Sequence, residues 1–398
     1  MAVTVDTRNT NLSIRFSLTC LKLCGLWAPA GLTGWRRALY YCYTVFLFML
    51  ILGTYIVIQL VDLYLIWGNL PLMTSTAFVL CTNLVHSVKI LNLLARRHRI
   101  RALVERNNRV LQRAAGVAER EIIMDCNRGT SIHLLTFLGL TSATLVGLAA
   151  GAATDPQRCQ LPLRAWYPYD WRKSPAYELT YSHQICAIYL AACLNVSKDI
   201  LVVSLVAQCR CRLRLVAHAL IALCKDMRIK REQLLTKYQE ETASDRLRAC
   251  VREHQDALAT VCELQGCFSE PTFAQFTVSL VIICVTALQL TAQRSNAIRM
   301  ISLATYLLNM MEQVFIYCYE GNELAVESEN VSRCAYAFPW YSCGVRVRRS
   351  ALLVMTRCCR IAKLTAAGFT TLSLVSFMSI LKVSYTFFTV MRQVIENN

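Results

Sequence analysis

Histidine and cysteine are the residues whose spacing most readily reveals a catalytic or metal site, and here their spacing indicates neither. The six histidines are widely separated, and neither Cys209 with Cys211 nor Cys358 with Cys359 has partners at the spacing of a zinc site. The glycine patterns that bind phosphates or dinucleotides are absent, and so is the paired-histidine pattern of zinc proteases. We therefore expect no enzyme activity, no metal and no cofactor.

A second group of chemically active residues consists of charges that interrupt long apolar stretches. Lys198 with Asp199, Glu312 and Lys382 each lie in a stretch that is otherwise mostly apolar. A charge at the centre of a membrane-spanning helix costs roughly 2.5–3.5 kcal/mol on insertion scales, so such helices are expected to face protein or water there. These charges indicate a polar pathway within a membrane protein.

The composition supports that interpretation, because the apolar surface is larger than one soluble core can bury. Of the 398 residues, 55% are hydrophobic and only 17% are charged. The net charge of +17 comes from basic residues between the apolar stretches, where they would face lipid headgroups and cytosol rather than nucleic acid. The twenty cysteines are scattered, so they indicate no disulfide framework.

Seven apolar stretches are long enough to cross a bilayer, for which a helix needs about 20 residues. The sequence therefore predicts an all-α membrane protein with seven transmembrane helices. The stretches are residues 39–61, 70–88, 129–154, 179–208, 271–293, 300–319 and 364–391.

The distribution of Lys and Arg predicts the orientation of these helices. Counted over alternate connections, with Lys89 assigned to the second stretch that it directly follows, 32 basic residues fall on one side of the membrane and seven on the other. Basic residues concentrate on the cytosolic side, so the N-terminus is predicted to be cytosolic and the C-terminus extracellular. A glycosylation sequon that starts at Asn11 is then expected to carry no glycan.

The same pattern divides the chain into membrane and cytosolic segments. The charged segment 209–270 has recurrent apolar positions and is interpreted as helical extensions of the fourth and fifth spans; a solvated hairpin and an intersubunit anchor are equally compatible with it. The predicted segments are a cytosolic N-terminal part (1–38), helices 1–4 (39–208), the helical extensions (209–270), helices 5 and 6 (271–319), a cytosolic anchor segment (320–363), and the last helix with the C-terminus (364–398).

The C-terminal third resembles the insect odorant receptor family, whose members are seven-helix receptors with inverted topology. The resemblance lies in residues 318–324 (Cys-Tyr-Glu-Gly-Asn-Glu-Leu), 338–341 (Phe-Pro-Trp-Tyr) and 384–388 (Ser-Tyr-Thr-Phe-Phe). The sequence departs from many members after Cys343, where Gly344 and Val345 follow. Gustatory receptors share the architecture, but Met391 and Arg392 stand where their terminal motif has Gln and Phe.

The resemblance implies an odorant-gated, non-selective cation channel in the plasma membrane of a sensory neuron dendrite. Four subunits would surround one pore lined by the last helix, and this chain would be a ligand-tuning subunit paired with a coreceptor. Alternatives that stay open are a G-protein-coupled type of chemoreceptor without its own pore and a gustatory type of channel. The first of these would need an extracellular N-terminus, contrary to the charge pattern.

The resemblance also implies two sets of functional residues. The ligand pocket would lie among the outer halves of the second, third, fourth and sixth helices, and the gate near the outer end of the last helix. For each pocket residue, ordinary helix packing is the competing interpretation. The pocket candidates are Phe78, Cys81, Thr82, Thr141, Leu145, Tyr181, Gln184, Ile188, Leu303 and Tyr306, and the pore candidates are Val390, Gln393 and Val394.

Overall fold

A computed structural model describes the chain except for residues 1–10, 30, 32, 69, 115, 154–160, 164–165, 171, 228–234, 293–296 and 397–398. Within the helices, the side chains of Phe78 and Val394 also lie outside the described part. The α-helices of the described part are α1 (Leu12–Leu23), α2 (Gly34–Phe48), α3 (Thr54–Leu65), α4 (Leu70–Ala95), α5 (Arg97–Arg113), α6 (Val117–Ala153), α7 (Ala176–Ile221), α8 (Lys237–Ala292), α9 (Ala297–Ala337), α10 (Val345–Cys358) and α11 (Leu374–Glu396).

The first predicted span forms a single rod made of α2 and α3. A π-helical turn at Met49–Gly53 joins the two helices without a break. A π turn contains one residue more than an α turn of the same rise, so it rotates the faces of α3 relative to those of α2. The predicted span of residues 39–61 lies within this rod.

Helix α7 forms the centre of the bundle, in contact with α1, α6, α8 and α9. All residues from Val196 to Cys209 are buried, so this part of α7 is surrounded by protein on every side. By length and composition, the helices that could cross a membrane are found at Val117–Gly151, Ala176–Cys224, Lys237–Thr291 and Leu374–Gln393, with shorter apolar helices at Thr54–Leu65 and Val79–Ala95.

The last helix begins ten residues later than the hydropathy pattern predicts. It starts at Leu374, because residues before it form a small antiparallel hairpin of β1 (Thr365–Ala366) and β2 (Thr370–Thr371). Gly368 has a φ of 76° and Ala367 a φ of 48°, values that turn the chain and are incompatible with a helix. Ser373 then accepts a hydrogen bond from the Ser376 amide at 3.3 Å and so caps the new helix.

The segment interpreted as extensions of the fourth and fifth spans is helical. Helix α7 continues to Ile221, and α8 runs from Lys237 through Pro271 into its apolar part. Arg212 of α7, whose side chain is only 2% exposed, connects α7 to α5 and α8 in this segment. It donates to Thr260 of α8 at 2.9 Å and to Asn107 of α5 at 3.2 Å, and it pairs with Asp256 of α8. Buried charges require such partners, so these extensions pack firmly against α5.

Candidate ligand cavity and pore helix

A cavity of about 220 Å³ lies between α3, α4, α6, α7 and α9. Its wall is mostly apolar, with polar side chains placed among the apolar ones, which is the usual character of a site for a small organic molecule. The lining includes the aromatic and aliphatic side chains Tyr55, Val79, Phe137, Leu145, Leu148, Leu163, Ile188, Leu303, Tyr306 and Met310, and the polar side chains Thr82, Asn83, His86, Thr141, Thr144, Asn195, Ser302 and Asn309.

The structure brings six of the ten predicted pocket residues together around this cavity. They are Thr82, Thr141, Leu145, Ile188, Leu303 and Tyr306. Cys81 and Tyr181 lie outside the lining, and the Tyr181 hydroxyl donates to the Ala149 carbonyl at 3.1 Å. The side chain of Phe78 lies outside the described residues.

Gln184 has a different position, because it binds the connection between α6 and α7, which contributes Leu163 to the cavity wall. Its Oε1 accepts a hydrogen bond from the Leu163 amide at 3.0 Å, and its Nε2 donates to the Leu163 carbonyl at 3.1 Å. The same Nε2 donates to the Tyr167 hydroxyl at 2.9 Å. Gln184 thus holds Leu163 in the cavity wall without lining the cavity itself.

The cavity extends one or two helical turns deeper than the sequence prediction. His86 lies one turn beyond Thr82, Asn195 two turns beyond Ile188, and Asn309 one turn beyond Tyr306. Steps of three, four or seven residues keep side chains on one face of a helix. That periodicity was the available signal for these deeper residues, whereas nothing in the sequence indicates that Tyr55 of α3 joins the wall.

Most polar groups in the cavity wall are occupied by bonds within the protein. The Thr141 hydroxyl donates to the Phe137 carbonyl at 2.7 Å and lies 3.1 Å from Asn309 Oδ1. The Asn83 amide donates to Gln59 Oε1 at 3.0 Å. Groups bonded in this way present little unsatisfied polarity, so the wall is suited to apolar ligands.

Beyond the inner end of the cavity lies a buried ionic cluster centred on Asp199. Its carboxylate accepts from Lys89 at 2.7 Å, from the Tyr317 hydroxyl at 2.9 Å and from Gln313. Lys198 lies 3.1 Å from His86 Nδ1 and donates to the His86 carbonyl at 3.3 Å. The charges that interrupt the fourth span therefore face protein, as buried charges must unless they reach water.

The candidate pore helix α11 packs on α8 and α9 with one side only. Its contacts include a Ser384 hydroxyl that donates to the Leu280 carbonyl at 3.3 Å, and Phe377, whose ring lies 5.5 Å from that of Phe315. On the other side Val390 is 53% exposed, and Gln393 is exposed as well. The side chain of the third pore candidate, Val394, lies outside the described residues.

Comparison with known proteins identifies the family. The profile described as 7tm Odorant receptor matches residues 69–385, which is most of the chain. The chain belongs to this family. Odorant receptor Or1 of Anopheles gambiae is 24% identical over 397 residues, which cover 96% of this chain and 95% of that receptor. Odorant receptor 46a, isoform A, of Drosophila melanogaster is 25% identical over 348 residues, which cover 85% and 88% respectively.

The fold of this odorant receptor family member also matches a solved structure. The insect olfactory receptor OR5 from Machilis hrabei in complex with eugenol superposes with a TM-score of 0.80 at 19% sequence identity, covering 96% of this chain and 97% of that one. The seven-helix, all-α membrane architecture predicted from the sequence is thereby confirmed, while the orientation of the termini stays a prediction. Membership of this family also confirms that the chain is an odorant receptor and not an enzyme.

Proposed function

We propose that the cavity between α3, α4, α6, α7 and α9 is the odorant site, and that its occupation opens a cation pore lined by α11. The observation that carries this proposal is the cavity itself, whose apolar wall suits a small volatile ligand. Affinity for such a ligand comes mainly from buried apolar area, at roughly 25 cal/mol per Å². A small aromatic compound such as eugenol, the ligand in the OR5 complex, has the appropriate size and character.

A direct packing route leads from the cavity to the pore helix. Tyr306 and Met310 of α9 line the cavity. Met310 also belongs to a small apolar cluster with Ile282 and Ile283 of α8, and both Tyr306 and Leu381 of α11 pack against that cluster. A ligand that binds one arrangement of α9 better than another shifts the equilibrium between them. Movement of α9 is then passed to α11 through this cluster.

The polarity of α11 supports its role as the pore lining. Five polar residues recur on it at steps of three and four, and all five are exposed in the isolated chain: Ser379, Lys382, Thr386, Thr389 and Gln393. These steps keep one side of a helix, so the five residues form a polar stripe along α11. In lipid, a stripe that contains a lysine is costly, whereas facing a water-filled pore satisfies it.

The exposed side of α11 supports an assembly in which partner subunits cover it. We propose a heterotetramer with the family's coreceptor in the plasma membrane of a sensory dendrite, with this chain as the subunit that selects the ligand. The helical extensions of α7 and α8, braced by Arg212, would then form the rigid anchor between subunits.

The test is voltage-clamp recording of cells that express the chain with and without the coreceptor, during application of an odorant panel. We expect an odorant-evoked cation current that requires the coreceptor and persists when G-protein signalling is blocked. Leu145→Trp fills the cavity and should abolish the response, whereas Leu135→Trp, on the same helix at a residue 61% exposed, should leave it intact. A current that depends on G proteins, or equal effects of the two tryptophans, would contradict the proposal.

A further inference from the structure

A second cavity, of about 250 Å³, lies where the connection between α1 and α2 meets α2 and the start of α5. No Asp or Glu is among the described residues that line it, so its wall carries only positive charge. The lining consists of Leu26, Trp27, Ala28, Pro29 and Gly31 of the connection, Arg37 and Tyr41 of α2, and Arg97, His98 and Arg101 of α5.

Two of the arginines in this basic cavity converge on one neutral side chain. The Cζ atoms of Arg37 and Arg97 lie 5.7 Å and 5.2 Å from the centre of the Tyr41 ring. Both guanidiniums also donate to the Tyr41 hydroxyl, Arg37 through Nε at 3.3 Å and Arg97 through Nη1 at 2.6 Å. A neutral ring and hydroxyl compensate two full charges only in part. The repulsion that remains favours the binding of an anion between them.

Arg101 brings a third charge to the same cavity. It follows Arg97 by four residues on α5, so the two guanidiniums share one face of the helix and repel each other. The Arg101 Cζ atom lies 5.1 Å from the centre of the Trp27 ring, and the side chain donates to the Ala28 carbonyl. These contacts hold the guanidinium in place while most of its five N–H donors remain for a ligand. Guanidiniums placed in this way suit the oxygens of a phosphate.

The position of the basic cavity along the helices favours a lipid as the source of that phosphate. Tyr41 lies near the start of the first predicted span, and Arg97 follows the second predicted span, so the cavity is expected at the level of the cytosolic headgroups. Val45 continues the face of α2 that carries Arg37 and Tyr41, and it is 59% exposed. Trp35, at the start of α2, is 72% exposed, as suits a residue at the membrane interface. An acyl chain can therefore extend from the cavity along an apolar surface.

We propose that the basic cavity binds the phosphorylated headgroup of an anionic lipid of the cytosolic leaflet, with phosphate oxygens accepting from Arg37, Arg97 and Arg101. A phosphate monoester carries nearly two negative charges and three acceptor oxygens, so a phosphorylated inositol matches three arginines better than a headgroup with one net charge. The bound lipid would join α2 to α5. No described residue lines both this cavity and the odorant cavity, so the two sites can be tested independently.

The experiment titrates the purified full-length receptor with short-chain lipids and counts bound molecules by native mass spectrometry. We expect dioctanoyl phosphatidylinositol 4,5-bisphosphate to bind at a concentration roughly 10-fold lower than dioctanoyl phosphatidylserine, because it offers more charge and more acceptors. Soluble inositol 1,4,5-trisphosphate should bind roughly 10-fold more weakly than the bisphosphate lipid, because it lacks acyl chains that bury apolar surface. If the soluble compound binds as tightly as the lipid, the ligand is a free phosphate ester and the lipid assignment is wrong. Equal binding of the two lipids would refute a phosphorylated headgroup.

Three single variants test whether the lipid binds in this cavity. Arg97→Gln should weaken binding of the bisphosphate lipid by roughly 10-fold, the effect of losing a hydrogen bond to a charged group. Arg37→Gln changes an exposed residue and should weaken binding roughly threefold without affecting folding. The control is Arg109→Gln, which removes the same charge from α5 at an exposed residue outside the lining and should bind like wild type.

Only the monodisperse fraction from size-exclusion chromatography is titrated, so that loss of folding is not taken for loss of binding. If Arg97→Gln yields no such fraction, Arg37→Gln decides the question. The proposal is wrong if the cavity variants bind the bisphosphate lipid like wild type, or if Arg109→Gln weakens binding as much as they do.

Discussion

Among single residues, Asp199 has the largest expected effect on stability. It is fully buried and holds Lys89, Gln313 and Tyr317, which come from α4 and α9. Asp199→Ala leaves the Lys89 ammonium without its counter-charge in a buried position, which typically costs about 3–5 kcal/mol. We therefore expect the detergent-solubilised receptor to lose most of its thermal stability, as followed by size-exclusion chromatography after heating.

The double variant Lys89→Met with Asp199→Leu is the control for that prediction. Replacing both charges by apolar groups removes the unpaired ion, so the double variant should recover much of the lost stability. A single variant that melts like wild type would mean that Asp199 is not the centre of the ionic cluster.

Tyr306 is the residue of the cavity wall on which we expect ligand sensitivity to depend most directly. It offers a rigid apolar ring with one polar group, and burial of such a ring provides much of the affinity for a small ligand. Tyr306→Ala should raise the odorant concentration for half-maximal current by about 10-fold, equivalent to roughly 1.4 kcal/mol. Surface expression should stay near normal. Tyr189→Ala, at a residue of α7 that is 56% exposed, is the control and should respond like wild type.

How far the sequence predicts the site depends on whether a residue's role is set by its own helix or by a partner. Thr82, Ile188 and Tyr306 were predicted because the family resemblance indicated which helices form the pocket, and hydropathy then gave each residue's position along its helix. The pairing of Lys89 with Asp199 joins residues 110 positions apart in the chain. No local pattern encodes such a pairing, so the sequence indicated only that a partner was needed.

At the scale of elements, Gly321 of α9 allows the hairpin before α11 to pack closely against α9. A Cβ atom added to Gly321 would lie 2.4 Å from Leu372 Cβ and 2.7 Å from the Leu372 carbonyl oxygen. Gly321→Ala must therefore push the hairpin, and α11 behind it, away from α9. Overpacking of this kind costs about 1–3 kcal/mol. We expect reduced thermal stability together with a smaller maximal odorant current.

The control for that variant is Gly139→Ala in α6, where an added Cβ would meet nothing within 4 Å. It should match wild type or be slightly more stable, because alanine favours a helix more than glycine does. If Gly321→Ala keeps the wild-type melting temperature and current, close packing at Leu372 does not couple α9 to α11.

The same hairpin explains why the hydropathy pattern predicted the wrong start for the last helix. Residues 364–373 are apolar enough to extend the last span, and the sequence prediction began that span at Leu364. The helix begins only at Leu374, because the residues before it bond to another element. The Gln265 amide of α8 donates to the Thr365 carbonyl at 2.7 Å, and the Ala367 amide donates to Ser269 Oγ at 2.9 Å. Tertiary hydrogen bonds of this kind have no hydropathy signal.

At the scale of the whole molecule, the orientation in the membrane is a prediction from the distribution of basic residues, and the glycosylation sequon at Asn11 bears on one part of it. The Asn11 side chain is 6% exposed, caps α1 through the Ser13 amide at 3.1 Å and donates to Thr130 of α6 at 2.5 Å. A glycan on this amide would displace those bonds. We expect N-terminal tags to be inaccessible to antibodies on intact cells and C-terminal tags to be accessible. The reverse pattern would refute the topology.

In the proposed assembly, each chain contributes one side of the pore. Val390 lies three residues before Gln393 on α11, close to the polar stripe and near the predicted outer mouth. Around the axis of the proposed heterotetramer, Val390 would be this chain's part of a ring to which every subunit contributes, and an apolar constriction closes a pore by excluding water. Arg392 lies about 100° round the helix from Gln393, so it points away from an axis that Gln393 faces.

Val390→Ala should therefore raise the unliganded current, because a shorter side chain widens the ring and lets water enter. Gln393→Glu should change the relative permeability to monovalent and divalent cations, because a carboxylate ring attracts divalent ions more strongly than an amide does. Both variants are recorded with the coreceptor under voltage clamp, with Val375→Ala, at an exposed residue near the start of α11, as the control. If both reach the surface and conduct like wild type, α11 does not form the gate.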